Sequence, residues 1–150
     1  MSVPEHILYF DDVGVGDEAV SPGRTVTEAD VARYVQLSGD WSPASTDEEF
    51  ARDTEFGGRV APDLMIPGFS SGLTWRNPRP PLAVAAFMGL EWQFYKPIQI
   101  GDTLHVRLRA MAKRKMKQGG VIIQEHAIIN QHDEMVQRGK VTFLVASRPA

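Results

Sequence analysis

Gly39-Asp40-Trp41-Ser42-Pro43-Ala44-Ser45-Thr46-Asp47-Glu48-Glu49-Phe50, with Phe56-Gly57-Gly58-Arg59-Val60-Ala61-Pro62-Asp63 a few residues beyond, is the stretch on which the fold turns. Upstream of it, Thr27 with Asp30 three residues on is a relative of the Ser/Thr-x-x-Glu capping box, so a helix is predicted to start at Glu28. Val31, Tyr34, Val35 and Ser38 recur at three- and four-residue spacing and give that helix one buried face; Gly39 stops it. Asp40 therefore falls in a loop just past a helix end. Asp47 is placed to cap a short amphipathic turn through Phe50 and Ala51, and Gly57-Gly58 breaks the chain again. From Pro62 to Trp75 the apolar residues Leu64, Met65, Ile66, Phe69 and Leu73 cover most faces, the pattern of a helix surrounded by protein. Pro62 suits its first turn, whereas Pro67 and Gly68 predict a kink or an irregular start.

Beyond Trp75 the period changes. Leu104, Val106, Leu108 and Ala110 alternate with His105, Arg107 and Arg109, and Val121 to Ile129 and Lys140 to Ala146 are rich in β-branched and aromatic residues. Gly119-Gly120 and Asn130-Gln131-His132-Asp133 separate these segments as hairpin turns. Val84 to Gly89 and Glu91 to Tyr95 read as two further strands, and Glu18 to Arg24 as a first extended piece. Helices grouped before an antiparallel sheet make an α+β domain.

The bulk properties narrow the function. A chain of 150 residues, 43% hydrophobic, is long enough for one core and short for two, and no linker or repeat divides it, so a single domain over 1–150 is expected. Sixteen Lys and Arg against nineteen Asp and Glu leave a charge of -3, which lacks the positive field a nucleic acid needs. The absence of Cys removes disulfides and thiolate chemistry and fits a cytoplasmic setting. Met1 to His6 lacks the basic start and apolar run of a leader, and no segment approaches the roughly 20 apolar residues of a membrane span. The four histidines show no metal-ligand spacing, and neither glycine pair forms a phosphate-binding pattern, so no metal or cofactor is expected.

The opening stretch resembles the hydratase signature of the MaoC-like dehydratases, Asp-x-Asn-Pro-x-His followed a short helix later by Gly-Gly-Arg-x-x-His-Gly-Met. Asp40, Pro43, Gly57, Gly58 and Arg59 match it, while Ser42 replaces the Asn, Ser45 the catalytic His, Pro62 the second His and Asp63 the Gly. Gly16-Asp17, the Thr27-Glu28-Ala29-Asp30 helix opening and Tyr95-Lys96-Pro97-Ile98-x-x-Gly101-Asp102-Thr103 resemble further family segments in the same order, across nearly the whole chain. The resemblance implies a hot-dog fold, a long central helix wrapped by a curved antiparallel sheet. It also implies a 2-enoyl or 3-hydroxyacyl thioester of coenzyme A or a carrier protein as substrate.

In the family's pattern the Asp and His orient and activate water, and a backbone N–H at the start of the central helix donates to the thioester oxygen. Asp40 stands at the Asp position, although an Asp directly after a helix-ending Gly also commonly binds nearby amides in a turn. Ser45 cannot act as a general base near neutral pH and can only orient a water or carbonyl. Asp63 brings a charge to the oxyanion position, repelling it unless protonated; alternatively it pairs with Asp40, since adjacent carboxylates split their pKa values, or it is simply a helix-start Asp. Trp41, Gly58 and Ser71 are the remaining candidates for substrate contact, Ser71 also serving as a small packing residue. Lys113 to Lys117, at a predicted hairpin tip, could meet coenzyme A phosphates or be merely solvated.

Three functions stay open: a hydratase with an altered dyad; a non-catalytic subunit that binds the acyl chain beside a catalytic hot-dog partner; and an acyl-CoA thioesterase working with one carboxylate. Hot-dog chains normally pair, so a homodimer or heterodimer is expected.

Overall fold

The computed structural model describes residues 6–150; Met1 to Glu5, expected to carry no leader character, lie outside the described residues. After a 3₁₀ turn at Phe10–Asp12 come short strands β1 (Glu18–Val20) and β2 (Arg24–Thr25), helices α1 (Glu28–Ser38), α2 (Pro43–Thr46), α3 (Glu48–Arg52) and α4 (Met65–Trp75), and long strands β3 (Val84–Phe94), β4 (Thr103–Lys115), β5 (Gly120–Ile129) and β6 (Met135–Val145). The strands form one antiparallel sheet in the order β1-β4-β5-β6-β3, with β2 also paired to β4. Helix α4 packs on this sheet through Ile66, Phe69 and Leu73, which share a core with Leu104, Val106, Leu108, Ile128 and Val136, and Val31 and Val35 of α1 join it. This is the α+β hot-dog arrangement that the resemblance implies.

The local signals act as read. Thr27 accepts from the Asp30 amide while Asp30 accepts from the Thr27 amide, and Gly39 ends α1 at φ 74°, a left-handed conformation that costs glycine nothing. Asp47 caps α3 by accepting from the Phe50 amide at 3.0 Å. The alternation in β4 puts Leu104, Val106, Leu108 and Ala110 inside.

Several expectations are corrected. Helix α4 is three turns, starting at Met65 behind an irregular turn in which the Met65 and Ile66 amides donate to Pro62 and Asp63. The irregular start is one of the two outcomes that Pro67 and Gly68 predict, and Pro67 itself falls in the first turn, where its missing N–H has no intrahelical partner to lose. Its faces are unequal: Met65, Ile66, Phe69, Ser70 and Leu73 are buried, while Gly68, Ser71, Gly72 and Trp75 are exposed, so this chain alone does not enclose the helix. Val84–Phe94 is one continuous strand with register shifts, because an irregular pairing absorbs Gly89 without ending the ladder. Strand β4 runs on through Lys115, so only Met116 to Gly119 form the hairpin tip, and β6 begins at Met135. Ser38 is exposed, its hydroxyl returned to the Tyr34 carbonyl. No helix among the described residues is long and apolar enough to cross a membrane.

Candidate functional site

Two loops meet at the start of α4. The first follows the Gly39 stop: the Asp40 amide donates to the Ser38 hydroxyl at 3.1 Å, and the Asp40 carboxylate accepts the Ser42 amide at 3.3 Å. Asp40 thus makes the local turn that an Asp in this position favours and, at the same time, lines a cavity. That turn launches α2, which carries Ser45 inward; Ser45 is 3% exposed and lines the same cavity, and its hydroxyl has no hydrogen-bond partner among the described residues.

The second loop is set by Gly57 to Pro62. Gly57 takes φ 66°, and Arg59 clamps the loop by pairing with Glu28 of α1 and Glu48 of α3. Val60 donates to the Ala44 carbonyl and Ala61 to the Ile98 carbonyl, which seats Pro62, Asp63 and Leu64 against α2 and the β3–β4 connection. The resulting cavity, about 510 Å³, is lined by Asp40, Ser45, Asp63 and Leu64, with Phe94, Tyr95, Lys96 and Pro97 as a further wall.

The carboxyl of Asp63 is raised above its ordinary value, first by partial burial and second by the negative charge of Asp40. The residue as a whole is exposed, so this is the desolvation of a carboxyl at a cavity mouth rather than of a core group. The amides of Asp63 and Leu64 donate to no acceptor among the described residues, as expected of the unpaired N–H groups that open a helix. The residues lining the cavity therefore carry two interacting carboxyls, and among the described residues the Ser45 hydroxyl and the Asp63 and Leu64 amides have no hydrogen-bond partner.

A second cavity of about 360 Å³ lies between the outer face of α4 and strands β3, β5 and β6. Ser71 lines it, with Trp75, Trp92, Phe143, Gln124 and His126 among its walls. His126 is buried; its Nδ1 lies 2.6 Å from the Ser70 hydroxyl and its Nε2 2.9 Å from Oε1 of Gln124, and burial lowers its pKa to about 4.

Not every predicted residue reaches a cavity. Trp41 is 65% exposed and lines neither, and Gly58 supports its loop without lining either. Lys113 is tied to the Phe10 and Val13 carbonyls, a packing role on the sheet. Sequence reasoning did not single out Lys96, His126, Gln124 or Gln137. The Tyr95-Lys96-Pro97 motif marked the position of Lys96, whereas the other three carry no local signal. No group of three or more His, Asp or Glu among the described residues could hold a metal ion.

Residues 14–131 match the family model of the MaoC like domain. The chain belongs to this MaoC-like family. It is 36% identical to Protein MaoC of Klebsiella aerogenes over 70% of this chain and 31% of that protein, so it spans about a third of that relative's length. It is 34% identical to the (R)-specific enoyl-CoA hydratase of Rhodospirillum rubrum over 69% of this chain and 71% of that protein. The solved MaoC-like dehydratase of Rhodospirillum rubrum superposes with a TM-score of 0.83 at 28% identity, covering 95% of this chain and 99% of that one. The MaoC-like match encloses Asp40, Ser45, Asp63 and Ser71, so the cavity residues fall inside the family domain.

Proposed function

We propose that residues 1–150 form one MaoC-like hot-dog domain that hydrates a 2-enoyl thioester of coenzyme A or a carrier protein, and dehydrates the 3-hydroxyacyl thioester in reverse. The observation that carries this reading is that Asp40, Ser45 and Asp63 line one cavity at the start of α4, where burial and the charge of Asp40 favour the protonated form of Asp63. A neutral Asp63 no longer repels a developing oxyanion and has a proton to give. In hydration, a water held by the Ser45 hydroxyl gives one proton to ionised Asp40 as its oxygen bonds to C3 of the acyl chain. The C2–C3 π electrons pass into the thioester enolate, held by the amides of Asp63 and Leu64, and C2 then takes the proton of Asp63. Proton exchange between Asp40 and Asp63 through solvent resets both, so the net change is the addition of one water.

The test is the loss of enoyl absorbance when the purified chain meets 2-enoyl-CoA of graded length. Asp40→Asn is expected to remove at least about 100-fold of the rate, as loss of a general base does, and Ser45→Ala to lower kcat. A wild-type chain inert on every length defeats the reading. Release of free thiol from a saturated acyl-CoA would instead mark a thioesterase.

A second reading, an acyl-binding subunit beside a catalytic hot-dog partner, is favoured by the edge of the sheet. Strand β3 has β6 on one side only and exposes Val84, Phe87, Met88, Leu90 and Phe94. An apolar unpaired edge of 11 residues, next to the open face of α4, invites a second chain. In either reading a second hot-dog chain, the same or different, covers this face, in a cytoplasmic setting.

A further inference from the structure

Gln137, on β6, is fully buried and uses both ends of its amide. Its Oε1 accepts the indole N–H of Trp92 at 2.8 Å, and its Nε2 donates to the backbone carbonyl of Asp63 at 3.4 Å. An indole N–H can only donate, so the oxygen of Gln137 must face Trp92, and the NH₂ is left for the helix start. The indole is itself held. Its six-membered ring lies over Gly139, where an added Cβ would come 1.8 Å from Cε3, and its edge meets the His126 ring at 6.3 Å between centroids. A hydrogen-bonded strip thus runs from Trp92 in the wall of the second cavity to Asp63 in the wall of the first.

The carbonyl of Asp63 and the N–H of Leu64 belong to one planar peptide unit, and no cis peptide is present among the described residues. In a trans unit the two point in opposite directions, so whatever fixes the carbonyl also fixes the amide. We propose that Gln137 is a positioning residue: together with the Ile66 amide, which donates to the same carbonyl at 3.3 Å, it holds the Asp63 carbonyl and so turns the Leu64 N–H towards the cavity, where the hydratase reading puts the thioester oxygen. Gln137 touches no substrate and acts through that peptide. The catalytic half of this inference rests on the hydratase reading; the geometric half does not.

Three variants separate the bonds. Gln137→Met keeps the length and loses both partners; Gln137→Glu keeps the acceptor for Trp92 and donates to Asp63 only when protonated; Trp92→Phe leaves Gln137 in place without the N–H that aims it. With 2-enoyl-CoA, Gln137→Met is expected to lose about 10- to 100-fold in kcat with KM nearly unchanged, somewhat less than deletion of an oxyanion donor. Gln137→Glu is expected to recover towards wild type as pH falls, each rate taken relative to wild type at the same pH, and Trp92→Phe to lose a smaller share of kcat. A residue that only packs would show no such pH-dependent rescue.

A wild-type chain without turnover would sink the hydratase reading and leave the geometry to be read by NMR. The amide proton of Leu64 should then shift between wild type and Gln137→Met, or Gln137→Glu at neutral pH if the Met variant does not fold. An unmoved Leu64 amide overturns the proposal, as does a Gln137→Met or Gln137→Glu enzyme whose loss lies in KM alone.

Discussion

Asp40 and Asp63 face one cavity from two different loops, and the charge of the first helps to hold the proton on the second. Replacing Asp40 with Asn keeps the shape and removes the charge. The Asp63 midpoint, followed by carboxyl NMR, should fall towards its ordinary value without reaching it, because burial is the larger of the two causes. If the Asp63 proton serves the reaction, the wild-type rate should fall on the alkaline side as Asp63 loses it, a limb that moves down in pH in Asp40→Asn.

His126 predicts how stability depends on acidity. Its pKa is about 4 in the folded chain against 6.5 for the free side chain, so between those values the unfolded chain binds more protons than the folded one. Stability is then unpenalised above about pH 6.5, falls as pH drops towards 4, and gains no further loss from this group below 4. The shift corresponds to up to about 3 kcal/mol. Urea unfolding at pH 7, 5.5 and 4.5 should show the decline, and His126→Gln, which cannot titrate, should flatten it; equal slopes for the two proteins would refute the assignment.

Gly139 lies opposite Trp92 in the β3–β6 ladder, and the indole occupies the space where a side chain would stand. Gly139→Ala should expel the ring, break the Trp92–Gln137 bond and cost about 1–3 kcal/mol, the usual range for overpacking. Chemical denaturation together with a shift in tryptophan emission would check both consequences.

The exposed edge gives a prediction about assembly. Met88 is 56% exposed on β3, so Met88→Lys removes little from the fold of one chain, within about 0.5 kcal/mol, yet places a charge in any pairing across that edge. Native mass measurement should find the wild type paired and the variant reduced to single chains. A variant that remains fully paired would place the interface elsewhere.

Much of the fold was legible because its signals are local. The Thr27–Asp30 box, the Gly39 stop, the Asp47 cap and the alternation in β4 each act within a few residues, and each formed as read. The errors arise where long-range contacts overrule or complete a local signal. Gly89 looked like a strand break, yet pairing with β6 carries the ladder through it, and the apolar run after Pro62 looked buried all round because composition does not say which face of the helix the sheet leaves open. Of the residues singled out in the sequence, Asp40, Ser45 and Asp63 line one cavity and Ser71 the other, while Trp41 and Gly58, chosen by their place in a motif, line neither.

The sequence by itself determined which groups are available: a carboxylate after a helix stop, a serine in place of an imidazole, a second carboxylate at a helix start, and no cysteine. Tertiary structure alone decided that the carboxylates share a cavity and that Gln137 reaches the peptide of Asp63, 74 residues away, while taking the indole of Trp92, 45 residues away. Caps and periodic faces are written in short-range spacing, because helix and strand repeat every few residues. A buried amide bonded across such separations leaves no periodic trace; it exists only once the sheet and the helix have brought its partners together.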